Sequence, residues 1–235
     1  MHHFRRWAIA ALAALCATTL VTGPADAVPA VPTQLTASTD VTEVDAGQEV
    51  TITGWLTKDS PDGQVGVSGG HIVIHLCDGP GCTPWGTTDT ITDATGHFTK
   101  RFAPSRTSLL YIQFAWPSTG PDLLPSSVVR PITVFQPISF GSQIARMADG
   151  QVRAYGGYGY PTQVPPPSAP VSRIEYSADG ATWTPVHSVA LAHFMYGYLF
   201  YSEYLVHPDP GYWRTVYDNR PTYARPVTTP AVYVA

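Results

Sequence analysis

Lysine is almost missing from this chain: Lys58 and Lys100 are the only two among 235 residues, and Asn219 is the single asparagine. Charged residues of both signs amount to 13%, with 17 acidic side chains against 13 Lys or Arg. A chain so poor in clustered basic residues is disfavoured as a nucleic-acid binder, because such binding depends on several Lys and Arg meeting phosphates together. Cysteine is also scarce at three, with no Cys or His partners at zinc-finger spacing. Beyond residue 27 no apolar run reaches the roughly 17–25 residues that a spanning helix needs. No window sustains apolar residues at i, i+3, i+4 and i+7, while 23 Pro and 20 Gly recur along the chain, which excludes long helices.

What is present begins with a leader pattern. Met1, His2, His3, Phe4, Arg5 and Arg6 form a short basic head, followed by an apolar run from Trp7 to Val21 and by Gly23-Pro24 and Ala25-Asp26-Ala27. This is the layout of a secretory signal peptide with cleavage expected after Ala27. Arg5-Arg6 lacks the flanking residues of a twin-arginine signal, and Leu15 precedes Cys16 where lipidation calls for a small residue. The expected mature chain is therefore secreted, extracellular and free of the membrane, with 11 basic against 16 acidic side chains. Cys16 leaves with the leader. Cys77 and Cys82, separated by the turn-forming Asp78-Gly79-Pro80-Gly81, then read as a local disulfide in an oxidising compartment.

The mature region alternates with period two, as half-buried strands do. In its first half the strand-like runs are 34–38, 49–56, 71–77, 88–92, 98–102, 109–114 and 128–135. Turn chemistry separates them, for example Asp62-Gly63 and Asp93-Ala94-Thr95-Gly96. The inward face of 71–77 is expected to be Ile72, Ile74 and Leu76. The second half offers 138–146, 151–155, 171–177, 183–188, 196–206, 212–217 and 227–234. The spacing predicts an all-β chain of two tandem immunoglobulin-like, Greek-key β-sandwiches, residues 28–136 and 137–235, after a signal peptide at 1–27. The halves echo one another. Gly96, a strand, Pro104 and the runs to Val134 correspond to Gly197, a strand, Pro208 and the runs to Val234, as in two diverged copies of one unit.

The first half also carries Leu35-Thr36-Ala37-Ser38, Gly47-Gln48-Glu49-Val50-Thr51-Ile52-Thr53-Gly54, Thr92-Asp93-Ala94-Thr95-Gly96-His97-Phe98 and Pro104-Ser105-Arg106-Thr107. Over roughly residues 33–135 it resembles the Ig-like repeats of secreted actinobacterial proteins. The preference for Arg over Lys suits a high-GC bacterial gene. The resemblance implies a sandwich fold and names no site, since these motifs mark strands and turns. The second half lacks the Gly-x-x-Val-Thr opening and carries a Tyr-rich insertion.

Catalytic patterns are thin. Gly66-Val67-Ser68-Gly69-Gly70 matches the Gly-x-Ser-x-Gly of hydrolases, but a strand follows it where a nucleophile elbow needs a helix, so it reads as a loop. His71 and His75 lie four apart on one strand, about 13 Å at 3.3 Å per residue, too far to share a metal. His187, His193 and His207 are scattered. Mature Glu residues are Glu43, Glu49, Glu175 and Glu203, and Asp62, Asp93, Asp149 and Asp179 lie at or near glycines in turns. Ser177-Ala178-Asp179-Gly180-Ala181-Thr182-Trp183 is similar to the Asp-box hairpin of sialidase propellers but one residue shorter, and reads as a type I′ hairpin. No catalytic residue, metal ligand or cofactor is expected.

Every mature tyrosine except Tyr111 falls in the second half, beside Trp183, Trp213, Phe194 and Phe200. If 196–206 is one strand, Tyr196, Tyr198, Phe200 and Tyr204 share one face and Leu199, Tyr201 and Leu205 the other. The first set is the candidate aromatic binding face, with Tyr155-Gly156-Gly157-Tyr158-Gly159-Tyr160 as an adhesive loop beside it. The competing reading is an aromatic core plus an interface with the first half. The sequence thus leads to a non-enzymatic extracellular binding or structural module. Its partner is an unknown protein, with cell-surface association, or a glycan stacked on the aromatic face; a hydrolase using Ser68 or a carboxylate pair that meets only in space is the remaining alternative.

Overall fold

The computed structural model describes residues 30–114, 123–161, 166, 168, 170–195, 197–217 and 223–235. The expected leader lies outside these residues. Regular structure among them is entirely β, and no helix is long and apolar enough to cross a membrane.

The first nine strands are β1 (Thr33–Thr39), β2 (Glu43–Asp45), β3 (Val50–Ser60), β4 (Gly63–Gly66), β5 (His71–Cys77), β6 (Pro84–Ile91), β7 (His97–Phe102), β8 (Ser108–Phe114) and β9 (Ser127–Phe135). One sheet runs β1-β3-β4 with β7 also on β3, and the other runs β2-β9-β8-β5-β6. The chain crosses between sheets from β3 to β5, back from β6 to β7 and again to β8, which is the Greek-key connection of an immunoglobulin-like sandwich. The alternation drives the packing. Ile72, Ile74 and Leu76 of β5 turn inward at 0%, 0% and 5% exposure. They meet Ile52 and Leu56 of β3, Leu110 and Ile112 of β8 and Ile132 of β9, with Phe98 and Phe114, in one largely aliphatic core.

The remaining strands are β10 (Ser139–Arg146), β11 (Val152–Gly159), β12 (Val171–Ser177), β13 (Thr184–Ala190), β14 (Ala192–Met195), β15 (Tyr198–Leu205), β16 (Gly211–Tyr217), β17 (Val227–Thr228) and β18 (Val232–Val234). They form sheets β10-β11-β15-β14 and β13-β12-β16-β17, with β18 also on β16. Strand for strand, β10, β11 and β15 repeat the order of β1, β3 and β7, and β12 and β16 repeat β5 and β8. Gly96 and Gly197 stand just before the equivalent β7 and β15 with φ of 83° and 85°. Residues without a β-carbon enter that left-handed region at little cost. The second core is built around Trp213, Tyr158, Tyr217, Tyr201 and Tyr223 with Ile174 and Leu199. Gly156 admits the Tyr201 ring, since a Cβ there would lie 2.8 Å from its hydroxyl.

Several expectations need correction. Residues 155–160 do not form a loop: β11 continues through Gly159, because β10 and β15 flank it and satisfy its backbone groups on both sides. The expected strand 196–206 is found as β15, Tyr198–Leu205, preceded by Gly197 in a turn, and β14, which pairs with it, was not expected. The run 227–234 splits into β17 and β18, and the short β2 and β4 were not expected. Every residue of β4 is exposed, so it has no apolar alternation to betray it. The Asp179-Gly180 turn is not type I′, which requires positive φ at both central residues; Gly180 has φ 74° and Asp179 is not among the positive-φ residues. Asp179 instead accepts the N–H groups of Ala181 and Thr182 at 2.8 Å each and the Ser177 hydroxyl at 2.8 Å, which hold its carboxyl far below the usual range.

Candidate functional site

The outer face of the β10-β11-β15 sheet carries a row of aromatic side chains over a floor of glycines. Pairing places Gly141, Gly157 and Phe200 side by side, then Gln143, Tyr155 and Ser202, then Ala145, Arg153 and Tyr204, with Ser139, Gly159 and Tyr198 at the opposite end. All twelve point away from the core by strand alternation. A trough of about 450 Å³ opens there, lined among others by Gly141, Gln143, Tyr155, Gly157, Tyr198 and Phe200.

The glycines make the trough. Tyr198 lies against Gly159, its Cε1 2.9 Å from where a Cβ would stand, and Phe200 Cδ1 lies 3.0 Å from the equivalent point on Gly157. A Cβ on Gly141 would meet nothing within 4 Å, so the floor above β10 is open. The rings share one orientation: Tyr198 and Phe200 are 6.0 Å apart at 12°, and Phe200 and Tyr155 are 6.4 Å apart at 4°. Tyr155, Tyr198 and Tyr204 are 41%, 52% and 55% exposed, whereas Leu199 and Tyr201 on the inner face are 3% and 4% exposed. Tyr158, Tyr201 and Tyr217 lie instead in the core, as the competing aromatic-core reading expects, so the tyrosines divide between the interior and the outer face. Tyr196, and the side chains of His193 and Phe194, lie outside the described residues.

Arg153 closes one end of the row. Its guanidinium stands 5.4 Å from the Tyr155 ring and 5.6 Å from Tyr204, with the Ser202 hydroxyl at 3.4 Å. Arg153, Gln143 and Gly141 were not singled out from the sequence, and Gly157 and Gly159 were read there as part of a loop. The only trace they leave there is the repeated small residue at 141, 157 and 159, and strand pairing was needed to bring these together.

The other candidates serve the scaffold. Cys77 and Cys82 are disulfide-bonded across a Cα–Cα distance of 4.7 Å, tying the end of β5 to the turn before β6. Ser68 is exposed in the turn before β5. His71 pairs with Asp89 at 2.7 Å, His75 with Gln113 at 2.9 Å and Thr87 at 3.2 Å, and His187 with Glu203 at 3.6 Å. Glu175 is buried between Arg173 and Arg214, each 2.7 Å from its carboxylate, with Trp183 4.0 Å from Arg214. Burial alone would raise its pKa, but the hydrogen bonds and charges of the two arginines outweigh burial and leave it lowered.

No protein-family model and no curated protein matches the chain. Among solved structures it is similar to FdeC, an Escherichia coli adhesin, at 12% identity and TM-score 0.36, covering 86% of this chain and 64% of that one. It is also similar to the D0-D1 domain of intimin at 13% identity and TM-score 0.29, covering 85% and 97%. Against an alpha-2-macroglobulin of Salmonella the values are 13%, 0.33, 88% and 15%. At such identities and TM-scores these likenesses carry no argument about ligand or activity. The immunoglobulin-like architecture stands on strand order and sheet pairing.

Proposed function

We propose that this chain is a secreted, non-enzymatic binding module whose glycan-binding surface is the aromatic trough of its second sandwich. In this reading residues 1–27 are removed on export, and residues 28–136 and 137–235 act as two diverged copies of one unit, the first a spacer or support. One observation carries it: three outward rings, Tyr198, Phe200 and Tyr155, each parallel to its neighbour within 12° along an open trough. A sugar ring presents an apolar face of C–H groups edged by hydroxyls. Flat tyrosines match that face with few rotors to freeze. The Tyr155, Tyr198 and Tyr204 hydroxyls, the Gln143 amide and the Ser139 hydroxyl make no hydrogen bond among the described residues, leaving donors and acceptors for the edge.

The test is a glycan array probed with the mature protein and with a Tyr155→Ala/Tyr198→Ala double variant. Binding by the parent that the variant loses supports the reading. A silent array, with a protein recovered instead in a pull-down that the same variant abolishes, would replace the glycan with a protein partner on the same face.

A further inference from the structure

Arginines that lie over aromatic rings in this molecule normally also hold a carboxylate. Arg106 stands 4.6 Å from Trp85 and pairs with Asp78 at 3.1 Å. Arg214 stands 4.0 Å from Trp183 and pairs with Glu175 at 2.7 Å. Arg225 stands 4.3 Å from Phe135 and pairs with Asp45 at 2.7 Å. Arg153 is the exception. It is half-buried between the Tyr155 and Tyr204 rings and, among the described residues, has no carboxylate within 4.0 Å; its one polar contact is the Ser202 hydroxyl at 3.4 Å, longer than a good N–H···O bond.

We infer that the trough takes an acidic glycan whose uronate carboxylate is received by Arg153, an inference that rests on the glycan reading above. Two tyrosine rings hold the guanidinium in place before any ligand arrives, so little rotamer entropy remains to be lost on binding. Its planar fork matches a carboxylate bidentately. The next ring of the row is Tyr155, 5.4 Å away, and Phe200 and Tyr198 follow at steps of 6.4 and 6.0 Å. A chain lying along the strands thus sets sugar faces on the rings while a charged sugar reaches the arginine. Gln143 and Ser139, on the β10 side, border the same trough.

The experiment uses the mature protein and immobilised polysaccharides of several linkages, each as a neutral parent, as the same chain with C6 oxidised to carboxylate, and as a 6-O-sulfated form. The carboxylated forms are expected to bind roughly 10- to 100-fold tighter than their neutral parents, the range of one charge-assisted hydrogen-bonded pair. The preference should shrink with added salt. Arg153→Gln should bring carboxylated and neutral forms to equal affinity, with Arg153→Lys between. Gly141→Leu, which fills the trough where a side chain meets no neighbour, should abolish binding of both; unchanged circular dichroism shows that each variant folds. Equal affinity for carboxylated and neutral chains, a carboxylate preference that survives Arg153→Gln, or tight binding confined to sulfated chains overturns this inference and leaves the glycan reading standing. Absence of binding to every polysaccharide overturns both.

Discussion

The two sandwiches share a strand order but fill their interiors differently. The first is packed with Ile52, Leu56, Ile72, Ile74, Leu110, Ile112 and Ile132, none more than 1% exposed, beside Phe98 and Phe114, while the largest buried side chains of the second are Trp213, Tyr158 and Tyr217. A core of aliphatic and phenyl side chains asks for shape alone. Tyrosines bring hydroxyls inside, and each buried hydroxyl must find a partner or lose its hydration energy. The second sandwich answers with a chain of small polar residues. The Tyr201 hydroxyl meets Thr215 Oγ1 at 2.8 Å, Thr215 donates to Ser142 Oγ at 3.1 Å, and Thr229 Oγ1 accepts the Thr215 N–H at 3.0 Å. The answer is incomplete, since the Tyr158 hydroxyl and Trp213 Nε1 are buried with no partner among the described residues. The first sandwich is stapled instead, by Cys77–Cys82. One topology therefore accepts two kinds of core, and the polar cost of the aromatic one falls on its lining strands.

Substitutions can sharpen or break this contrast when urea unfolding is followed by near-ultraviolet circular dichroism for the aromatic core and far-ultraviolet for the whole. The largest effect is expected at Trp213→Ala, about 3–5 kcal/mol from the cavity left at the centre of the second core. The transition attributed to the first sandwich should not move; a joint shift of both would show that the cores unfold as one. Glu175→Gln follows, at roughly 2–3 kcal/mol, because Arg173 and Arg214 then face each other beside a neutral amide, part of the penalty being screened by solvent.

Glu175 also fixes a pH dependence. Its folded pKa is lowered, so the folded state binds fewer protons there than the unfolded chain and stability rises with pH. Its contribution is fully present above the unfolded value of about 4.3 and is lost as the pH falls through the lower folded value. The midpoint of the second transition should drop with acid across that window, and in Glu175→Gln this component should vanish. A profile unchanged by the substitution would assign the acid sensitivity to other carboxylates.

The next effect belongs to the first sandwich. Replacing Cys77 and Cys82 by Ser should cost about 2 kcal/mol, the chain-entropy value for so short a loop. The shift should appear in the first transition alone. The smallest and most discriminating pair is Tyr201→Phe against Tyr158→Phe. Removing the bonded Tyr201 hydroxyl leaves Thr215 short of a partner and should cost about 1 kcal/mol, whereas removing the unpartnered Tyr158 hydroxyl should be neutral or stabilising. Equal costs in thermal unfolding would contradict the hydrogen-bond account of the aromatic core.

Much of the scaffold was legible wherever one face is buried and the other wet. Strand β5 over His71–Cys77 and strand β12 over Val171–Ser177 match their expected ranges, and the Cys77–Cys82 bridge is present. Strands failed to show where alternation had no material to work with. All of β4 is exposed, and Val44 is the one buried residue of β2. Glycines in β11 imitate a loop until its two neighbours are known. Half of the aromatic face was visible as the alternation of Tyr198, Phe200 and Tyr204 against Leu199, Tyr201 and Leu205. Arg153, Gly141 and Gly157 reach that face through pairing with β10 and β15, and no local signal announces a pairing partner.

By itself the sequence determined that this is an all-β chain, where its inward residues lie along the main strands, and that Cys77 and Cys82 close a turn. Those are consequences of two-residue periodicity and short-range chain geometry, which act within a few positions. Only the tertiary structure decided which tyrosines became core and which became surface, and that a glycine floor lies under three aligned rings with Arg153 at one end of their row. Side chains about 15, 45 and 60 positions apart meet there because hydrogen bonds between strands, not neighbours in sequence, set their distance.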